Sequence, residues 1–431
     1  MRIQQLVLAL LLPGPTMLLG QRTKPADLSG DWALTLERYG EADVQRMTVQ
    51  SQDDRLRVSF DTKLEGVVRD ETITLKRIGD AGPVASMTGT IVEGELSGQF
   101  EFGETSGRWK ARRIALRPPN ASRSHLFEPK VFHRLFSGAI QPVLHIYPGD
   151  TVSTSTVDAG GTDGKGVRRN QGGNPLTGPF YVDGALPGDM LVVKFTRIRL
   201  NRETAFSSDG VVASALAAGD AANQAAVEHF DSSWLLDRER GIARLAKPTP
   251  ALKDYTVPLR PMLGCVGVAP FRDAAFRSGY LGTFGGNMDY NRIREGVSLY
   301  LPVLQPGALL FIGDGHAAQG DGELTGNALE TSMDVEFTVD VAVGKSPGMP
   351  RAEDEEFLMA MGIKGSLTEA FQAATSQMMH WLKDRYKLNA SEAAAVLGTA
   401  AQYDIAEVVD PLVNVVARVP KKALAQIAKP R

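Results

Sequence analysis

The sequence has only one cysteine, Cys265, in 431 residues, so an internal disulfide framework is excluded. Histidine is scarce as well. Its six copies are scattered and form no metal-storage tract. Neither sign of charge prevails: 47 lysines and arginines stand against 50 aspartates and glutamates, a formal net charge of -3. That balance leaves no basic footprint for nucleic acid. The serine-hydrolase patterns are missing, since there is neither a Gly-x-Ser-x-Gly elbow nor a serine-rich glycine loop of the serine–lysine amidase kind. Long apolar runs are missing too, and no segment reads as a membrane span.

The composition that remains, 43% hydrophobic and 23% charged, is that of a globular chain with room for two or three domains. Its first residues predict a secretory signal over 1–21. Arg2 gives the positive start, Leu6 to Leu12 the apolar segment, and Leu18-Leu19-Gly20 a small-residue exit. The expected location is therefore exported, periplasmic or secreted, and no cysteine near the exit offers a lipid anchor. Residues 28–117 predict a small antiparallel β domain, a barrel or sandwich. Short alternating runs such as Trp32, Leu34 and Leu36 or Leu56, Val58 and Phe60 are separated by turn signals at Gly79 to Pro83 and at Glu93-Gly94. A linker follows at Arg117 to Ser122.

The chemistry gathers in residues 308–323. Ala308 to Ile312 reads as a buried strand that ends in a glycine-rich turn carrying Asp314, His316, Gln319, Asp321 and Glu323. An imidazole with several carboxylates suits a divalent metal such as zinc. The spacing matches neither an EF-hand loop nor the paired histidines of a helical zinc motif. Cys265 raises the alternative of a thiol nucleophile. Its small apolar neighbours favour a neutral thiol, and no His or Lys lies beside it in sequence.

The stretch Gly313-Asp314-Gly315-His316-Ala317-Ala318-Gln319-Gly320-Asp321-Gly322-Glu323 resembles the central signature of the acetamidase/formamidase family, which hydrolyses short amides to ammonia and a carboxylate. Gly285 to Asp289, Pro148 to Val152 and Asn174 to Pro179 agree with it, in the expected order from about His133 to Lys422. The resemblance implies a mainly β protein with α+β elements: a β-rich catalytic domain over 123–422, closed by C-terminal helices. The helical part is expected from 352, with the small β domain in front. It also places the His133 and Asp158 segments near the pocket, although Phe136 stands in a stretch where the family wording more often has Trp after the histidine.

The expected reaction is metal-assisted hydrolysis of a small carboxamide, with a divalent cation polarising the carbonyl and lowering the pKa of water. Asp314 and His316 are the first candidate ligands, with Asp158 and Asp289 behind them. Glu323 or Asp321 would be the general base, and Asn287 and Gln319 the substrate-binding residues. His145 matches no family ligand. The expected partner is a small amide, with no nucleic acid and no membrane span, and a homo-oligomer is compatible with the sequence. The competing class is an exported binding or scavenging protein that keeps the fold without turnover. At the C-terminal end, Leu367, Phe371, Ala374, Met378 and Leu382 recur at helical spacing behind a Ser366 cap. Ser391 to Leu397 begins a second helix, and Ile405 to Val416 is expected to add a third helical segment.

Overall fold

The computed structural model describes residues 27–77, 85–115, 117–224 and 229–428. The expected leader and the turn signal at Gly79 to Pro83 lie outside the described residues.

The first unit is a closed eight-stranded antiparallel barrel running from Gly30–Arg38 to Thr105–Arg113. Closure comes from pairing of the first strand with the last, Trp32 opposite Arg113 and Leu36 opposite Trp109. Alternation sends Trp32, Leu34 and Leu36 inward, where they meet Met47, Leu64, Met87, Phe100 and Trp109. Both buried indole N–H groups find carbonyls, Trp32 on Leu28 at 3.0 Å and Trp109 on Thr88 at 3.0 Å. Side chains fill an eight-stranded barrel of this kind. It is pinned to the second unit by Arg46, whose guanidinium reaches the buried Asp189 carboxylate at 2.8 Å and the Gly184 carbonyl at 2.7 Å.

The second unit is built on two large sheets of eleven and nine strands. A common core joins their inner sides, with Phe180, Phe195, Phe311 and Phe337 wholly buried. Phe180 meets Phe127 and Phe337 edge-on, with centroids 5.6 and 5.3 Å apart, a geometry favoured by the ring quadrupole. The strand Met333–Ala342 alternates as its valines predict, and Val335, Phe337 and Val339 are buried.

The C-terminal part is less helical than its sequence suggests. Helix Leu367–Tyr386 starts at Ser366, whose side chain accepts from the Glu369 N–H, and helix Ala390–Ala400 starts at Asn389 with a full capping box. Of the expected stripe, Ala374, Met378 and Leu382 are buried, whereas Leu367 and Phe371 are exposed. The third helix is replaced by two antiparallel strands, Gln402–Glu407 and Val413–Pro420. Val415, Val416, Ala417 and Val419 are buried there, and a β-branched run buried on both faces suits a covered strand. The long helix lies tight against strand Phe357–Lys364, since a Cβ on Gly362 would sit 2.0 Å from the Ala370 carbonyl oxygen. Among the described residues no helix is long and apolar enough to cross a membrane.

Candidate active site

Asp314 and His316 do not lie in a turn. They are part of the strand Leu310–His316, which runs between Leu176–Val182 and Met262–Val268 in the eleven-stranded sheet. The glycines of Gly-Asp-Gly-His allow close packing rather than turning. A Cβ on Gly315 would lie 2.5 Å from Met333 Cγ, and one on Gly313 would lie 2.9 Å from the Pro175 oxygen. Asp314 and His316 are two residues apart and so face the same side. On the neighbouring strand Gly264 leaves the room they occupy. A Cβ there would fall 2.2 Å from Asp289 Oδ1, 2.8 Å from Asp314 Oδ2 and 3.1 Å from His316 Cε1.

Asp289, Glu323 and Glu330 complete the cluster in two groups that share His316: Asp289, His316 and Glu323, and Asp314, His316 and Glu330. The donor atoms of each group lie within 4.8 Å of one another. His316 Nε2 is 3.3 Å from Glu330 Oε1 and 3.5 Å from Asp314 Oδ1. Two donors each about 2.0–2.2 Å from a zinc ion would stand roughly 3.3–3.5 Å apart, so these separations suit a shared cation. Asp289 Oδ1, Asp314 Oδ1, His316 Nε2 and Glu330 Oε2 are all buried without a hydrogen-bond partner. Four such orphans in one place are far above what a folded interior tolerates, and a divalent cation would satisfy them together. The backbone is strained here as well: Asn174, Asp289, Asp314 and Glu323 all adopt left-handed φ, at 52°, 40°, 56° and 48°. Such outliers persist where surrounding structure enforces them.

Amides hold the cluster in place. Gln319 accepts from His316 Nδ1 through Oε1 at 2.9 Å, while its Nε2 donates to the Asp289 and Ala406 carbonyls. Those carbonyls only accept, so the amide orientation is set. Nδ1 must carry the proton, and Nε2 is left to face the carboxylates. Asn174 donates to Asn287 Oδ1 at 3.0 Å and to Asp314 Oδ2 at 2.9 Å. Asn287 in turn donates to the Asp289 and Asp410 carboxylates.

The electrostatics record an uncompensated negative pocket. Burial first, then the Glu323 and Asp314 carboxylates, raise Asp289 well above the carboxylate range. Burial pushes Glu323 up to about 8 and Glu330 to about 7, with the His316 charge opposing in both. Asp410 is pushed up to about 7 by burial and by Asp314, and Glu407 to about 8 by burial and by Asp410. Burial disfavours the imidazolium of His316, but Glu330 and Asp314 outweigh it and hold its pKa well above the usual range. The chain therefore retains protons here that a cation would displace.

The match to known proteins falls on this region. Residues 282–424 match the Acetamidase/Formamidase family. A crystal structure of a recombinant acetamidase/formamidase from Thermoanaerobacter tengcongensis superposes with a TM-score of 0.60 at 26% identity, covering 70% of this chain and 98% of that one. Over residues 282–424, a third of its length, the chain is similar to that family. An acetamidase of Yersinia enterocolitica aligns at 27% identity and TM-score 0.60, over 70% of this chain and 93% of its own. The acetamidase of Bacillus halodurans shares the fold at 24% identity and TM-score 0.60, over 70% of this chain and 99% of its own. A Schizosaccharomyces pombe protein named as a formamidase is 51% identical over 41 residues, a match spanning only 10% of this chain and 10% of that protein's length.

Within the second unit, the structure unites Asp314, His316, Asp289 and Glu323, sets Asn287, Gln319 and Cys265 against them, and places Asp158 and Asp321 elsewhere. Asp158 is buried against Arg202, with Oδ2 2.6 Å from the guanidinium, and Oδ1 caps the Thr162 N–H. A charge already neutralised in that way is a poor metal donor. Asp321 is exposed and accepts from Asn291 at 2.8 Å, outside both groups. Asn287 and Gln319 reach the site, with their amides engaged by protein partners. His133 bridges Leu176 through its backbone, and burial lowers its pKa. His145 is an exposed strand residue 3.3 Å from Asp183 and stacked on Tyr181. Cys265 is inside the cluster, donating to Asn287 Oδ1. Burial, then Asp314 and Asp289, raise its pKa well above the ordinary thiol value, which removes the thiolate a nucleophile needs. Glu330, Glu407, Asp410 and the side chain of Asn174 were not singled out by the sequence. Asn174 alone lay in a quoted motif.

Proposed function

We propose that the protein hydrolyses short carboxamides to a carboxylate and ammonia, using a divalent cation held by Asp314, His316 and Glu330 with Asp289 and Glu323 beside it. The carrying observation is the set of orphaned buried donor atoms around His316, in space left free by Gly264. Zinc is the cation that the imidazole–carboxylate set favours. When bound, such a cation supplies Lewis-acid polarisation of the amide carbonyl and acidifies water at the site.

The protein's own groups do the rest. Gln319 fixes the His316 tautomer, and Asn174 and Asn287 fix the Asp314 and Asp289 carboxylates. Glu323, whose Oε1 accepts only from the Ala328 N–H at 3.1 Å, carries the proton. It takes one from the water that adds to the carbonyl carbon and returns it to the nitrogen as the C–N bond breaks. A carboxylate beside the reacting water suits both directions of transfer.

The test is metal analysis of the purified protein, followed by ammonia release from formamide, acetamide and propionamide before and after chelation. Undiminished ammonia release from fully stripped protein would sink the metal role. No release from any of the three by metal-loaded protein would sink the substrate class.

A further inference from the structure

Beside the cluster, and separated from it by Gln319, lies a cavity of about 210 Å³ lined by Arg260, Arg292, Arg294 and Arg418 together with Asp321 and Asp404. Four guanidinium groups and two carboxylates line it, and the Asp354 carboxylate stands 3.7 Å from Arg292, which leaves a net positive balance. Asp404 is fully engaged: Arg418 Nε approaches it at 3.1 Å, Arg292 Nε at 3.7 Å, and the Tyr290 hydroxyl donates to it at 2.9 Å. Arg418 Nε is buried and still lacks a hydrogen bond. Arg292 and Arg418 lie over the Phe357 ring at 4.9 and 4.6 Å, a cation–π contact that holds both near the cavity. Among the described residues, Arg260 and Arg294 have no carboxylate within ion-pair distance and no side-chain hydrogen bond to the protein.

Surplus positive charge in a polar recess, open to solvent at Arg260 and Asp321, is the inverse of the neighbouring acidic cluster and repels a cation. Guanidinium forks match planar or tetrahedral oxyanions through paired N–H donors. The volume corresponds to roughly seven waters at about 30 Å³ each, enough for a two- to four-carbon carboxylate or a phosphate group. We propose that this cavity is a binding site for a small oxyanion, of carboxylate or phosphate type, with Arg260 and Arg294 as the residues that hold it. The inference does not rest on the amide-hydrolysis reading, because binding alone tests it.

Isothermal titration of the full-length protein with malonate, acetate and inorganic phosphate at low salt gives the first readout. Saturable one-to-one binding is expected for at least one of them, weakening as sodium chloride rises. Tighter malonate than phosphate assigns a carboxylate-bearing ligand, and the reverse order a phosphorylated one. In a folded Arg260→Gln/Arg294→Gln variant the affinity should fall at least tenfold. Phenylglyoxal labelling of the unmodified protein, read by peptide mass spectrometry, gives a second readout independent of the variant's folding. The preferred anion should protect Arg260 and Arg294. Absence of saturable binding by all three, affinity unchanged in the variant (ligation by the metal centre alone), or labelling unaffected by anion would each overturn the proposal.

Discussion

On the proposed cation reading, chelation should make the protein's stability depend on pH with a sign that the site dictates. Glu323 and Glu407 are pushed up to about 8 by burial and neighbouring charge, whereas an unfolded glutamate titrates near 4.5. Between those values the folded, metal-free state holds protons that the unfolded chain has released. Its stability must therefore fall as pH rises. The contribution is fully present below about 4.5 and gone by about 8, and His316, also raised, acts in the same direction. Each such group costs about 1.4 kcal/mol per pH unit. Glu323 and Glu407 together thus remove roughly 5 kcal/mol between pH 6 and 8. For a unit of about 300 residues, with an unfolding entropy near 0.6 kcal/mol/K, that is a fall in Tm of roughly 8 °C. With the cation bound, the carboxylates around it are ionised in the folded state and Tm should vary far less over the same window. Differential scanning calorimetry at pH 6, 7 and 8, with and without chelation and with metal content measured, reads the effect directly. A stripped protein whose Tm stays level or rises over that range would refute both the proton-holding account and the cation-shaped reading of the cluster.

Glu330→Gln keeps the side-chain volume but removes an anionic donor. Metal occupancy and the rate of ammonia release should fall together, the rate by at least ~10²-fold, as they should for His316→Ala. Cys265→Ala should keep its metal and most of its turnover in the same assay, and abolished activity with metal retained would restore the thiol alternative. A chain beginning near Ser122 should retain turnover, because every group of the cluster lies beyond the barrel. It should melt below the full-length protein, since Asp189 loses Arg46, and an unaltered Tm would count against that ion pair as a structural joint. Export predicts removal of the first residues near Gly20 to Arg22, and intact-mass analysis of exported protein showing the full-length chain would refute it.

The sequence marked Asp289, Asp314, His316 and Glu323 by residue type, an imidazole and carboxylates crowded among glycines. Their convergence was expected from a turn, whereas Asp314 and His316 lie in the strand Leu310–His316. What makes the cluster complete is not local. Glu330 belongs to a two-residue strand, Glu330–Thr331, that pairs beside His316, too short for any periodicity to mark. Glu407 and Asp410 come from a C-terminal segment whose apolar residues read as helical, and burial on both faces turned that segment into strands. The glycines of Gly-Asp-Gly-His looked like turn formers because glycine permits turning. Here their role is steric, which is visible only once Pro175, Thr331 and Met333 are in place. Asp158 looked available until the fold brought Arg202 against it. The first unit, by contrast, was legible as a small antiparallel β domain from plain alternation, while the choice between barrel and sandwich waited on pairing of its first strand with its last.

Complete burial of the cluster also has a consequence for time rather than affinity. The segment carrying Glu323 is clasped by the C-terminal strand region through Gly322 N–H to the Ile405 carbonyl at 2.8 Å and Val408 N–H to the Gly322 carbonyl at 3.2 Å. Asp289, Asp314, His316 and Glu330 have almost no solvent contact. Release of an ion held by all of them would need several buried ligands to part together, so its residence would be set by the frequency of such local opening. Exchange with metal in the surroundings would then be slow even where a competing ion bound more tightly, and the cation acquired during folding would tend to be the one the protein keeps.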